Sequence, residues 1–222
     1  MKTTQFIPLC FAITFTWFPG CHTPRVAETV VGSNYIPSNV FRAQSQLPGE
    51  MKRIAIFPIA CMTDDPSTLS GADSLQPLVW SELGKTKMFE CIPMTSEKLK
   101  EYVGMRSISS ENVLAPDLMT KIKQNLGCDG IMFCTLTKYQ PYRPISIGWN
   151  FKLVDCRESK IWWSVDEIFD SGNEAVSNAA RRYYQSSIQS SSPLLDSTGI
   201  LGTPTRFGQY TLSSVFSTLP MR

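Results

Sequence analysis

The chain has 222 residues, 42% of them hydrophobic, and its 21 Lys and Arg nearly balance its 19 Asp and Glu. That length supports one domain with a sizeable core plus tails. A net charge of +2, with no basic block and no aromatic-and-basic stripe, excludes nucleic acid as a partner.

The first element in chain order is the most apolar. Lys2 supplies a positive start, and residues 6–18 (FIPLCFAITFTWF) form a run of 13 broken by Pro8. A membrane-spanning helix needs about 20 apolar residues, so the run is too short to cross. A positive start, a short apolar core and a small residue before the cut make a secretory signal. Here Gly20 directly precedes Cys21. The pattern resembles the bacterial lipoprotein signal, in which a cysteine after a small residue is lipidated and becomes the new amino terminus. It departs at Phe18, where that signal prefers Leu, and at Pro19, where Ala or Ser is usual. The resemblance implies a signal peptide over 1–20, a lipid on Cys21 and a membrane anchor facing the periplasm. His22 stands where an Asp would retain such a protein at the inner membrane, which favours the outer one. An ordinary signal peptide with a chance cysteine, or a buried amino-terminal strand, stay open as alternatives.

Residues 21–50 hold three prolines and two glycines without a sustained period, and read as a flexible tether. "KRIAIFPIA", 52–60, is a buried strand bounded by charge. "CMTDDPSTLSGADS" reads as a polar loop. A helix follows, with Leu75, Leu78, Val79 and Leu83 on one face and Pro77 placed in its first turn. "MFECIPM", 88–94, is the second strand. "TSEKLKEYVG" starts on capping hydroxyls and ends at Gly104, as a short helix does. "APDLMTKIKQNLG" is another: Pro116 suits its first turn, Leu118, Ile122 and Leu126 repeat every four, and Gly127 can take the left-handed cap. "CDGIMFCTLTKY" is the third strand.

The clearest signal lies over 145–169. Ile147, Trp149, Phe151 and Leu153 alternate with Ser146, Gly148, Asn150 and Lys152; after the polar turn "CRESK", Ile161, Trp163 and Val165 share one side. This predicts a hairpin with one buried face. "NEAVSNAARRYYQSS" is helical, 186–203 is a Ser-rich loop, and "TRFGQYTLSSVFSTLP" is an amphipathic helix turning Phe207, Val215, Phe216 and Leu219 inward.

These pieces carry a family resemblance. "RIAIFPI" at 53–59, "LGCDGIMFCTLTKY" at 126–139 and "FKLVDCRESKIWWS" at 151–164 resemble a family of bacterial envelope domains. The family includes the TolB amino-terminal domain, the curli secretion lipoprotein CsgG and lipoprotein activators of penicillin-binding proteins. In the third piece Glu158-Ser159 replaces the family's usual Thr-Gly turn. The resemblance covers about 52–185 and implies an α/β fold: one domain at 51–185, a mixed sheet of about five strands flanked by helices. The Ser-rich loop and terminal helix, 186–222, follow it. The implied role is binding or scaffolding of an envelope protein partner; a subunit of a curli-type outer-membrane pore is the rival.

Chemistry is sparse. The sole histidine is His22, beside the lipidation site, so neither Ser/His/Asp nor Cys/His catalysis has a base within the fold. Asp64-Asp65 reads as a solvated loop, and Asp166-Glu167 must point to opposite faces of a strand. No glycine-rich phosphate loop follows the first strand. Cys61, Cys91, Cys128, Cys134 and Cys156 lack zinc spacing, and most of them read as small buried hydrophobes. An oxidising compartment permits a disulfide among them, but the sequence does not choose the pair. No catalytic residue, cofactor or metal is expected, and an enzyme of unknown class is the weakest reading. Candidate partner contacts are Trp162, which with Trp163 takes opposite faces of the strand, one in the core and the other either covered by a helix or exposed for binding, and Arg181 and Arg182 on a solvated helix edge.

Overall fold

The computed structural model describes residues 35–112, 117–187 and 197–222. The apolar run, Cys21, His22 and Pro116 lie outside the described residues, as does much of the Ser-rich segment. The strands are β1 (Val40–Arg42), β2 (Arg53–Ile56), β3 (Ala60–Cys61), β4 (Glu90–Pro93), β5 (Gly130–Gln140), β6 (Ser146–Asp155) and β7 (Ile161–Asp170). The helices are α1 (Pro66–Lys85), α2 (Ser96–Val103), α3 (Leu118–Leu126), α4 (Glu174–Ser187) and α5 (Pro204–Phe216), with a 3-10 turn at Ser197–Gly202.

All seven strands form one sheet in the order β1-β7-β6-β5-β2-β4, with β3 joining β5 off that path. β2 pairs in parallel with β4 and β5, as β3 does with β5, whereas β5, β6, β7 and β1 are antiparallel. The fold is therefore the expected α/β type with a mixed sheet, but with seven strands instead of about five.

Two separate causes supply the extra strands. Pro58 has no N–H for a ladder, and Ile59 N turns away to donate to Gln76 Oε1 at 2.6 Å. Pairing with β5 then resumes one residue out of step, Ile56 facing Met132 but Ala60 facing Thr135, so the first expected strand divides into β2 and β3. The other strand, β1, lies in the stretch read as tether. Glu167 accepts from Tyr35 Oη at 2.8 Å and Ser38 N at 2.7 Å, and Leu47 and Met51 are buried. Residues 35–50 thus belong to the domain.

α1 is much longer than its apolar spacing suggests. Asp65 caps it, its carboxylate accepting from Thr68 N at 3.0 Å, and Pro66 occupies the first turn. Ser, Thr and Gly lower intrinsic helix propensity over the stretch read as loop, yet Ala72, Leu75, Val79 and Leu83 form one buried face. Pro77 therefore sits inside the helix, where it removes a backbone donor, and not in the first turn. α2 and α3 end as expected, with Gly104 and Gly127 left-handed at φ 78° and 63°.

Each face of the sheet has its own core. Trp149, Phe151, Leu153, Trp163 and Phe169 pack with Leu75, Val79, Phe207, Val215 and Phe216 of α1 and α5. Leu99, Leu118 and Ile122 cover Ala55, Phe57, Ile131 and Phe133 on the other face. α5 and Leu219 are thus part of the main core, not an appendage after residue 185. Its inward residues are those the spacing indicates.

The hairpin follows the predicted alternation until its turn. Phe151 faces Val165 and Leu153 faces Trp163, but Val154 then faces Ile161. This bulge inserts Trp162. Ile161 consequently leaves the buried side and is 39% exposed, while Trp162 packs half-buried against the same core as Trp163. Both sequence assignments assumed an unbroken alternation. In the turn, Asp155 Oδ1 accepts from Glu158 N at 3.0 Å, and Ser159 adopts φ 55°, so polar capping replaces a glycine turn.

Phe151 is fully buried among Trp149, Trp163 and Phe216, whereas Arg157 reaches only an exposed Glu50. Phe151→Ala should cost about 3–5 kcal/mol, and Arg157→Ala under about 1 kcal/mol. Denaturant titration of both variants checks this; equal small losses would mean the buried face is misassigned.

Candidate functional site

A cleft of about 480 Å³ lies between α1, α4 and the residues after α5. Its polar floor is Glu82, buried to 4% exposure, which accepts from Lys85 Nζ at 2.5 Å and Gln209 Nε2 at 2.9 Å. Gln209 thereby ties α5 to α1. Tyr183 stands beside this carboxylate; burial first, and then Glu82, push its phenol up to about 12, against a bond to Ser213 that favours ionisation. The apolar wall is Met88, Phe216, Leu219, Pro220 and Met221, edged by the hydroxyls of Ser187 and Ser217. Arg222 fixes this wall by donating to the carbonyls of Met88 and Met51. An apolar wall with a rim of hydroxyls and one paired carboxylate suits an amphipathic peptide segment.

A second, smaller cavity of about 120 Å³ lies beyond the carboxyl ends of β2 and β4, lined by Pro58, Asp73, Gln76, Trp80 and Thr95 among others. Gln76 spends its carbonyl on Ile59 N, and its amide nitrogen, like Trp80 Nε1, is buried without a protein partner. Two buried donors at a polar cavity suit a water or another acceptor oxygen. Sequence reasoning singled out neither cavity, because Glu82 and Gln76 meet their partners, and Trp80 its cavity, only through tertiary packing.

The expected contact residues are spread over different elements. Trp162, on β7, carries the Lys160 ammonium 4.5 Å from its ring centroid, and its carbonyl accepts from Ala43 N at 2.9 Å. Arg181 and Arg182 are half-buried on α4 and not a solvated edge: Arg181 Nε donates to Ser197 Oγ at 3.3 Å, and Arg182 partly offsets the effect of burial on Tyr210. Asp65 is the α1 cap instead of a bare loop acid; bonds from Ser67 and Thr68 hold its carboxyl below the usual range. Asp166 and Glu167 do point apart, toward Asn150 and Tyr35. Cys21 lies outside the described residues. Among the described residues, no group of three His, Cys, Asp or Glu is placed to hold a metal ion, and no helix is long and apolar enough to cross a membrane.

No family model matches the chain, and no curated protein does. Among solved structures it is similar to lipoprotein GNA1162 from Neisseria meningitidis, at TM-score 0.42 and 21% identity, covering 55% of this chain and 85% of that one. It is also similar to the PelC dodecamer subunit from Paraburkholderia phytofirmans, at 0.42 and 11%, covering 82% and 98%. LpoB from E. coli gives 0.38 and 11%, covering 76% and 86%. At these scores the likeness concerns only the coarse course of the chain.

Tyr183 supplies a test of the cleft. An unfolded tyrosine ionises near pH 10, whereas burial beside Glu82 raises this one to about 12. The neutral phenol therefore favours the folded state fully below about pH 10, and that contribution is lost as pH rises through about 12. Tyr183→Phe should flatten the fall in stability over that window, measured by denaturant titration at several alkaline pH values. An unchanged slope would place Tyr183 outside the buried cleft.

Proposed function

We propose that this chain is a lipid-anchored, periplasm-facing protein of the bacterial cell envelope with a non-catalytic binding or scaffolding role. One observation carries the reading: a 13-residue apolar run, too short to span a bilayer, ends within a few residues at Gly20-Cys21. Lipid on Cys21 holds the chain at the membrane. His22 after Cys21 favours the outer membrane. The partner is an envelope protein, and the cleft walled by Phe216, Leu219 and Met221 offers it a contact surface. The non-catalytic assignment rests on the sole histidine being His22, next to the anchor.

Cys21→Ser should move the protein from the membrane to the soluble fraction on cell fractionation. Mass spectrometry finding an intact Met1, or a bare Cys21, in the wild-type protein would refute the anchor.

A pore role makes a different demand. Barrel strands need an apolar face toward lipid and a closed hydrogen-bonded ring. The long strands β5, β6 and β7 instead bury one face under α1 and α5, while β6 and β7 carry Asn150, Lys152, Ser164 and Asp166 on the other. The purified, delipidated protein should stay soluble without detergent and leave planar bilayers silent. Stepwise conductance from the protein alone would favour the pore.

A further inference from the structure

Of the five described cysteines, the fold brings two to one place. Cys128 follows the Gly127 cap of α3 and precedes β5; Cys156 opens the hairpin turn after β6. Cys156 N donates to Asp129 O at 2.8 Å, so the residue next to Cys128 is the direct cross-strand neighbour of Cys156. Consecutive Cα atoms lie about 3.8 Å apart and facing antiparallel residues about 4.5–5.5 Å, which sets the Cys128 and Cys156 Cα atoms roughly 6–7 Å apart. That is near the upper end of what a disulfide spans. Both side chains are buried in the same core, under α2 and α3.

The other three cysteines belong to the opposite core. Cys134 is fully buried there and Cys61 and Cys91 pack against it. Cys61 faces Leu136, two residues from Cys134, a diagonal of about 7–8 Å. Cys91 is on β4, with β2 between it and β5, about 10 Å away. Neither separation suits a bridge.

We propose that Cys128 and Cys156 form a disulfide that staples the start of β5 to the end of β6, given the envelope location argued above. The oxidant is the disulfide of a thiol-oxidising envelope protein. One cysteine thiolate attacks it, giving a mixed disulfide and releasing one donor thiol. The second thiolate then attacks the mixed disulfide and releases the other donor thiol. Two electrons and two protons pass from the cysteine pair to the donor. The exchange takes place during folding: in the folded thiol form burial pushes Cys128 up to about 11 and Cys156 up to about 12, which leaves almost no thiolate at neutral pH.

Two measurements test the pairing. Full-length protein from cell envelopes, acid-quenched, alkylated with N-ethylmaleimide and digested without reduction, should yield a cross-linked peptide pair holding Cys128 and Cys156, with Cys61, Cys91 and Cys134 alkylated. Protein that has a lipidated Cys21 but alkylated Cys128 and Cys156 would overturn the proposal. Independently, full-length protein denatured and refolded with reduced and oxidised glutathione should form the same bridge, and Cys156→Ser should leave Cys128 as a thiol. A different pairing, or none, in refolded wild-type protein would also overturn it. If refolding gives the bridge while protein from cells has an unmodified Cys21 and free thiols, the pairing stands and the envelope location fails.

Discussion

Two indole N–H groups in the middle of the sheet need partners where water cannot reach, and α5 with the turn that follows it supplies both. Trp149 Nε1 donates to Thr211 Oγ1 at 2.9 Å and Trp163 Nε1 to Thr218 Oγ1 at 3.1 Å. Thr211 in turn donates within α5 to Gly208 O, and Thr218, in the turn after α5, donates back to Val215 O. An unpaired buried donor costs about 1–3 kcal/mol, so α5 has one rotation and one height on the sheet. Everything above it depends on that position. Phe216 packs edge-on to Phe151, and α1 approaches so closely that a Cβ at Gly208 would lie 2.4 Å from Leu75 Cδ2. The wall of the cleft is what remains of α5 and its following turn after these contacts are made.

The two faces of the sheet have unequal duties. α2 and α3 cover the parallel half around β2 and the start of β5, where both faces are apolar. The antiparallel half, β6, β7 and β1, is covered by helices on one side, and on the other it carries Asn150, Lys152 and Asp166 beside exposed Phe41 and Ile168. Parallel strands require cover on both faces, whereas an antiparallel ribbon can present one to solvent. The bulge at Trp162 lies in this ribbon, next to β1.

Much of this was legible because it is local. The alternation from Ile147 to Leu153, the capping glycines at 104 and 127 and the inward face of α5 each follow from a period or a cap within a dozen residues. What failed was non-local or broke a period. β1 exists because Glu167, about 130 positions away, receives Tyr35 and Ser38. α1 extends to Asp65 because its apolar face finds the sheet, despite weak propensity. Ile161 and Trp162 were misplaced by a single inserted residue, to which composition gives no clue. Glu82 and Gln76 carry no signal in the sequence, since their partners, Gln209 and Ile59 N, are set by tertiary packing. Arg181 and Arg182 are half-buried where a solvated edge is expected for the same reason, as the 3-10 turn that meets Arg181 carries no strong sequence signal.

The two ends of the described chain are sewn together. Leu47 N donates to Met221 O at 2.9 Å and Met221 N to Ser45 O at 3.1 Å, and Met221 is also a wall of the cleft. For a pull applied at the amino end this arrangement defines a load path. Tension entering at residue 35 meets the Glu167 clamp first, then the short β1 ladder, and only then the stitch at Met221. Pulled along β1, the ladder bonds share the load in shear and do not open one by one. The cleft wall therefore stays intact until the first two fastenings have yielded, and beyond that point the same pull reaches the cleft itself.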